Sequence, residues 1–420
     1  MSRNREIRFR QALLAVVLLS GAVRAFSLPP FPADSDERFE FQVIRSAPNV
    51  FWSRLRRDAV HPPLDYLIDR AVLSICPGAV SLRAPDIFWG MLTVGLVGLL
   101  LRNRSGRVAG VLAALLLALA PYHVAETRRL RPYGLGALLL CLCLYLLDRL
   151  LKRPGWGRAA LFAGATAACF STLYLASVAL AVAGVAMTGE SLLSRDPEIR
   201  DRARTAALLA ALGAAVALLS FWPWLSTLLR AARRPPVAAA PMESAARAGR
   251  MLSYFAFSPN AGYSFPPRAL FFAGFAIAAA LFFFGAAAAL STRGSRYLAV
   301  WGAGACLAAE ILKHIHPHYD SYRYFLPAGI AMTGLWAIGL ARLWRSPRLK
   351  ILGAGVLLAV VALDGLSLAR YYRFGVWDFS SGRMKTTSSG FTSPSFSRAF
   401  LSSSSVRCSA FPARAESTAF

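Results

Sequence analysis

An acidic pair, Asp36 and Glu37, lies in the first long polar segment of the chain, just after an apolar N-terminal run. A carboxylate at a membrane surface can act as a general base, ligate a metal ion or simply face water in a solvated loop. Desolvation beside lipid raises the pKa of a carboxyl group, which suits a base that works near neutral pH. The pair is therefore a candidate catalytic site, with the solvated loop as the alternative.

Basic and aromatic residues recur at the ends of later apolar runs. Arg131 and Tyr133 precede one such run, and Arg323 and Tyr324 precede another. The guanidinium group of arginine can bond two phosphate oxygens at once, so both arginines are candidate phosphate ligands. Arginine also anchors helix ends and tyrosine is common at membrane interfaces, so these alternatives stay open.

Histidine offers a third kind of chemistry at two places in the chain. Asp58 and His61 lie in the first polar segment, and His61 is followed by Pro-Pro-Leu. Imidazole can contact a phosphate, ligate a metal ion or cap a loop, and the sequence leaves these roles open. The run 314–318 has histidine at every second position, which fits an extended strand better than a helix. We therefore regard that run as a weak candidate for a metal site.

The elements that must position these residues are strongly apolar. Of the 420 residues 56% are hydrophobic and only 16% are charged, whereas a soluble domain has about 25% charged residues. Backbone groups in lipid must bond internally, so each apolar run is expected to be a membrane-spanning helix. We predict eleven spans, at about residues 10–26, 86–101, 107–123, 133–149, 159–173, 175–189, 205–228, 269–290, 297–312, 325–341 and 351–369.

The formal net charge of +26 does not indicate nucleic-acid binding, because Lys and Arg lie mainly in short loops between apolar runs. Alternate loops are basic, which is typical of residues that hold loops on the cytoplasmic side. The N-terminal tail belongs to the basic set. We therefore predict a multi-pass inner (plasma) membrane protein with a cytoplasmic N-terminus and, after an odd number of spans, a C-terminus outside.

Two long segments fall on the predicted outer side, residues 27–85 and residues 229–268, and both carry polar and aromatic side chains. Residues 379–420 are rich in Ser, Thr and Arg without any period, which indicates a disordered or aberrant tail. We thus divide the chain into a transmembrane domain over residues 1–378 and this tail. No internal repeat is evident, which disfavours the inverted-repeat design of many transporters.

Several short motifs occur in a fixed order along the chain. They are Asp36-Glu37, His61-Pro62-Pro63-Leu64, Arg83-Ala84-Pro85, Pro121-Tyr122-His123, Arg131-Pro132-Tyr133 and Arg323-Tyr324-Phe325-Leu326-Pro327. Their order and placement resemble the GT-C glycosyltransferases, most closely the dolichyl-phosphate-mannose protein mannosyltransferase and aminoarabinose transferase families. The chain departs from that pattern at Arg129, where relatives often have an acid, and at Asp65, where they have an aromatic residue. Glu126 lies near enough to substitute for the missing acid.

The resemblance implies an all-α, multi-span GT-C helical bundle with about eleven transmembrane helices. It implies transfer of a sugar from a polyprenyl-phosphate donor to an acceptor hydroxyl on the extracytoplasmic face. Asp36 would be the catalytic base, and Glu37 would orient the acceptor or help to bind a metal ion. No cofactor is certain, because some relatives use a divalent metal ion and others do not.

Binding roles follow from the same resemblance. Arg131, Arg323 and His61 would hold the donor phosphate, and the substrate would contact the remaining candidates, Asp58, Tyr133 and Tyr324. The expected partners are a polyprenyl-phosphate-linked sugar, the lipid bilayer and a glycan, lipid or protein acceptor. The alternative functions are a transporter or flippase of a lipid-linked or anionic substrate, and a scaffold without chemistry. The clustering of polar residues at outer span ends favours an enzyme.

Overall fold

The computed structural model of the protein describes residues 2–28, 35–232, 268–315 and 322–374, and these residues form helices without any β-strand. The predicted tail from residue 379 lies outside the described residues, and so does most of the second long outer segment. The order of the α-helices in the described part is α1 (Ser2–Ala25), α2 (Ser35–Ile44), α3 (Pro48–Asp58), α4 (Leu64–Ile75), α5 (Ala79–Ser105), α6 (Arg107–Leu119), α7 (Pro121–Glu126), α8 (Tyr133–Lys152), α9 (Trp156–Phe170), α10 (Tyr174–Leu192), α11 (Pro197–Ala232), α12 (Arg268–Ser291), α13 (Arg296–Ile315), α14 (Leu326–Arg345) and α15 (Lys350–Phe374). A 3-10 turn at Tyr322–Phe325 leads into α14.

Ten of the eleven predicted spans fall largely on one helix each, and the span at 107–123 is divided between α6 and α7, so the multi-span helical fold is confirmed. Seven helices of the described residues are long and apolar enough to cross a membrane: α5, α8, α10, α11, α12, α14 and α15. Of the other predicted spans, α6 and α9 are shorter helices, and α1 carries several arginines. Helix α14 is buried along its whole membrane-crossing window, so it forms the centre of the bundle.

The first polar segment is not the plain loop that its composition predicted, because it contains α2, α3 and α4. Pro48 occupies the first turn of α3, where its fixed φ angle favours helix initiation. Phe41 of α2, Phe51 of α3 and Tyr66 of α4 form a small core that also includes Trp224 of α11. This core holds the three short helices against the bundle.

Helix α11 runs unbroken through Pro223. The motif Trp222-Pro223-Trp224 does not interrupt this helix. A proline removes one backbone hydrogen bond, but a spanning helix tolerates it where neighbouring groups compensate. The indole Nε1 of Trp224 donates a hydrogen bond of 2.7 Å to the hydroxyl of Tyr174 on α10, which holds this part of α11 in place.

The two ends of the bundle carry different polar groups. At one end the C-terminal turns of α5, α8 and α14 meet. Arg104 donates to buried Asp148 at 2.5 Å, Lys152 donates to the same carboxylate at 2.9 Å, and Arg345 donates to the carbonyl of Ser105 at 3.0 Å. These are loops that the charge pattern assigned to one side. The candidate site residues gather at the opposite end.

Candidate functional site

Helix α2 presents three carboxylates, on Asp36, Glu37 and Glu40, to the site end of the bundle. Neighbouring residues of a helix point about 100° apart, so Asp36 and Glu37 face different surroundings. The side chain of Asp36 is 40% exposed, whereas Glu37 and Glu40 are fully buried. Asp36 is therefore the carboxylate of α2 that a substrate can reach.

Asp36 forms an ion pair with Arg323, in which the guanidinium Nη1 donates to the carboxylate Oδ2. Arg323 lies in the 3-10 turn before α14, 287 positions further along the chain. Its side chain is 22% exposed, so the pair lies at the edge of the site rather than in the core. The first polar segment and the entry to α14 thus meet where the sequence motifs predicted a shared site.

Glu37 has an inward role. Its Oε2 accepts a 2.6 Å hydrogen bond from Arg83 of α5, and its Oε1 accepts one of 3.1 Å from the backbone N–H of Leu130. Both side chains of the ion pair are almost wholly buried. Glu37 therefore fixes α2 to α5 and to the loop before α8, and it is not open to an acceptor as the sequence suggested.

Arg131 joins two other site elements. It donates to Glu40 at 3.2 Å and to Nε2 of His61 at 3.0 Å. Burial alone lowers the pKa of Arg131, but the Glu40 carboxylate beside it raises that pKa well above the usual value. Burial, then Arg131 and Arg323, hold the pKa of His61 well below its usual value. His61 is thus neutral at neutral pH, accepts at Nε2 and carries its proton on Nδ1.

The rings of Tyr133 and Tyr324 lie close to His61 and to the arginines of the site. The ring of Tyr133 is 5.8 Å from that of His61 and 6.2 Å from that of Tyr324, both in edge-to-face arrangements. The guanidinium carbons of Arg131 and Arg323 are each 6.0 Å from the centre of the Tyr133 ring. These distances are at the outer limit for a cation–π contact, and they place both guanidinium groups near one aromatic ring.

Arg129 adds a third guanidinium to this group. It is buried and lies 3.8 Å from Glu126 on α7. Burial, followed by the nearby Arg323, lowers the pKa of Arg129 to about 9. Desolvation and repulsion by nearby cations thus make the charged form of Arg129 less favourable, and a bound anion would offset both effects. We call Arg129, Arg131 and Arg323 the cationic group.

A separate acidic group lies on the other side of Arg131. Glu40 of α2 and Asp65 and Asp69 of α4 are buried, and each offers one carboxylate oxygen within 4.8 Å of the others. Burial, countered in part by Arg131, raises the pKa of Asp65 to about 7. Burial and then Asp65 and Glu40 raise the pKa of Asp69 well above its usual value. These are the described residues that could hold a metal ion.

Helix α15 packs against Arg128 at the site end of the bundle. The Arg128 guanidinium donates at 2.6 Å to the backbone carbonyls of Phe26 and Ser27, after α1. It also stacks on the rings of Tyr371 and Tyr372, at 5.3 and 4.8 Å. One arginine from the loop before α8 thus ties together the first and last described helices.

Most of the predicted site residues come together in the structure. They are Asp36, Glu37, His61, Arg131, Tyr133, Arg323 and Tyr324. The side chain of Asp58 lies outside the described residues, as do His316 and His318. His314 lies on α13, so this part of the histidine run is helical rather than extended.

Sequence reasoning did not assign site roles to several residues that the structure places there: Arg83, Glu40, Asp65, Asp69 and Arg129. Arg83 and Arg129 stood within or beside quoted motifs. Asp65 and Asp69 are spaced by four residues, which puts both on one face of a helix. If residues 64–75 are taken as a helix, this spacing predicts that the two carboxylates lie close together.

The protein is a multi-span helical bundle with carboxylates and arginines at one end, and solved structures show the same fold. The crystal structure of ArnT from Cupriavidus metallidurans bound to undecaprenyl phosphate aligns with 90% of this chain. The alignment covers 67% of the ArnT chain, with a TM-score of 0.53 and 17% sequence identity. The structure of the Archaeoglobus fulgidus oligosaccharyltransferase in complex with Zn and sulfate aligns with 86% of this chain. The alignment covers 53% of the oligosaccharyltransferase chain, with a TM-score of 0.54 and 12% sequence identity. The fold is thus that of the GT-C glycosyltransferases.

The sequence of residues 60–226 matches the family model described as dolichyl-phosphate-mannose-protein mannosyltransferase. This part of the chain includes His61, Arg83, Arg129 and Arg131. This match and the likeness of fold both agree with the resemblance that the sequence motifs indicated. No curated protein sequence matches the chain significantly. The chain spans little more than half the length of the archaeal oligosaccharyltransferase structures that it matches.

Proposed function

We propose that the protein is a membrane glycosyltransferase that moves a sugar from a polyprenyl-phosphate donor to an acceptor hydroxyl on the extracytoplasmic face of the inner membrane. The observation that carries the proposal is the partly exposed Asp36 carboxylate, paired with Arg323 at the edge of the cationic group. The charge pattern of the short loops supports the extracytoplasmic placement. Undecaprenyl phosphate in the ArnT structure and dolichol-phosphate in an Archaeoglobus fulgidus AglB structure support the donor class.

In the proposed reaction Asp36 accepts the proton of the acceptor hydroxyl as the oxygen attacks the anomeric carbon of the sugar. The new bond joins the acceptor oxygen to the sugar, and the bond between the sugar and the phosphate breaks. The electron pair leaves with the polyprenyl phosphate, whose charge grows in the transition state. Arg323, Arg131 and Arg129 stabilise that charge, because fixed cations require no reorganisation as it develops.

Exposure separates Asp36 from the other carboxylates of the site. Glu37 and Glu40 are fully buried and accept hydrogen bonds from Arg83 and Arg131. A base must come within about 3 Å of the proton that it takes, or act through one water molecule. The 40% exposed side chain of Asp36 is open to an acceptor without movement of α2. Neutral His61 complements the arginines, since its Nδ1–H has no hydrogen-bond partner among the described residues and can donate to an oxygen anion.

Replacement of Asp36 by Asn tests the proposal, because the amide keeps the shape of the side chain but does not accept a proton. We expect Asp36→Asn to slow sugar transfer by about 10²–10⁴-fold, the usual contribution of a general base. The readout is mass spectrometry of surface glycans and lipids in a deletion strain complemented with each variant. Asp201→Asn is the matched control, since Asp201 is an exposed acid of α11 that pairs with Arg204 at 3.0 Å. Transfer by Asp36→Asn at the control rate, with equal membrane levels, would remove Asp36 as the base.

A further inference from the structure

The acidic group described above is poorly neutralised by the described protein. Glu40 pairs with Arg131, but Asp65 and Asp69 have no ion pair within 4 Å among the described residues. Both are 2% exposed, and each has a buried Oδ2 without a hydrogen-bond partner in the described part of the chain. Asp86 of α5 adds another buried carboxylate within electrostatic range of this group. A buried ionised carboxylate without a partner is strongly unfavourable, so these groups either keep a proton or bind a positively charged ligand.

The local structure explains why the oxygens converge. Asp65 lies in the first turn of α4 and Asp69 one turn later, so both point from the same face of that helix. Glu40 reaches them from α2, which packs against α4. Two rigid helices therefore present three oxygens to one small space, with little side-chain freedom left to lose on binding.

The spacing selects the ligand chemistry. Oxygens on opposite sides of a Ca²⁺ ion stand about 4.6–5.2 Å apart, since each Ca–O distance is about 2.3–2.6 Å. The oxygens of the acidic group all lie within 4.8 Å of one another, so three of them can contact a single ion of this size. Ligand sets made only of carboxylates favour hard cations such as Ca²⁺, Mn²⁺ and Mg²⁺ over zinc.

We propose that Glu40, Asp65 and Asp69 bind one hard divalent cation of the Ca²⁺ or Mn²⁺ type. The cation fastens α2 to α4 beside the Arg131–Glu40 pair. Glu40 is one turn after Asp36 on α2, so the bound ion also fixes the helix that carries the proposed base. This second consequence rests on the proposed function, whereas the binding itself does not.

Cation binding to the purified full-length protein tests the proposal directly. The protein is placed in phosphatidylcholine nanodiscs, treated with EDTA and exchanged into chelator-free buffer, and free Mn²⁺ is then titrated by electron paramagnetic resonance. We expect one Mn²⁺ per chain, displaced by Ca²⁺, and a thermal midpoint that rises with either ion. The double variant Asp65→Asn/Asp69→Asn should bind at least about 10-fold more weakly. The control Asp201→Asn should bind like the wild type.

Two results would overturn the proposal. One is the absence of cation binding by the wild-type protein. If the double variant also has a higher thermal midpoint than the wild type in EDTA, the carboxyl groups share protons instead of binding a cation. The other is unchanged binding in the double variant, which places the ion elsewhere. If the double variant does not fold, the single variants Asp65→Asn and Asp69→Asn are measured, each with a 10-fold loss expected. A failure of the proposed function is distinct, because it shows in the transfer rate of Asp36→Asn and leaves Mn²⁺ binding intact.

Discussion

The buried Arg83–Glu37 pair allows a quantitative test of how the site end is held together. Replacing Arg83 with Met keeps much of the side-chain volume but leaves the Glu37 carboxylate without its 2.6 Å partner. Because both side chains are almost fully buried, breaking the pair should lower the free energy of unfolding by about 3–5 kcal/mol. The hydrogen bond from the Leu130 amide, worth about 1.5–3 kcal/mol with a charged acceptor, does not replace the lost ion pair.

Replacing Glu37 as well should restore much of the lost stability. In the double variant Arg83→Met/Glu37→Gln the uncompensated charge is gone, so we expect most of the stability to return. A double-mutant cycle of reversible unfolding in mixed micelles measures the coupling between the two side chains, and we expect about 2 kcal/mol or more. The exposed pair Arg204–Asp201 is the matched control and should show a coupling below about 1 kcal/mol. A coupling for Arg83 and Glu37 no larger than that of the control would refute the reasoning from burial.

Two further predictions concern the cationic group and His61. Arg131→Gln and Arg323→Gln should each weaken binding of undecaprenyl phosphate by about 10–100-fold, because each removes charge-assisted hydrogen bonds to phosphate. Native mass spectrometry or fluorescence titration in nanodiscs measures this, and wild-type affinity in both variants would contradict the assignment. The pKa of His61 is lowered on folding, so the unfolded chain takes up the proton first as the pH falls through about 6.5. Stability is thus lost toward acid pH, by up to about 1.4 kcal/mol per pH unit. His61→Gln should show a smaller loss of thermal stability than wild type between pH 7.5 and 5.5, and identical slopes would count against a buried neutral imidazole.

The fold was largely predictable, because its main determinant is local. An apolar run long enough to cross a bilayer has to be helical in lipid, and all eleven predicted runs are helical in the structure. The helices of the first polar segment escaped prediction for the opposite reason. Their apolar residues are too few to span a membrane and are buried only against a distant helix, through contacts such as that of Phe41 and Phe51 with Trp224.

The candidate site was predictable in membership but not in orientation. The order of the motifs predicted that Asp36, His61, Arg131 and Arg323 lie at one end of the bundle, and the structure places them there. Adjacent residues such as Asp36 and Glu37 cannot be separated by motif alone, since their environments depend on which face of α2 meets α5. The acidic group formed by α2 and α4 was missed because it requires a helix that was read as a loop.

The Asp36–Arg323 contact has a consequence for biogenesis. The two residues are 287 positions apart, and Arg323 enters only with the turn that precedes α14. During synthesis the acidic helix, the Arg83 anchor and His61 with Arg131 can all assemble early, while the last cation is still to be translated. A chain that is still being translated therefore has an incomplete candidate site until most of its helices have been made. For the proposed transfer, this separation means that the site is complete only when nearly the whole membrane domain has been synthesised.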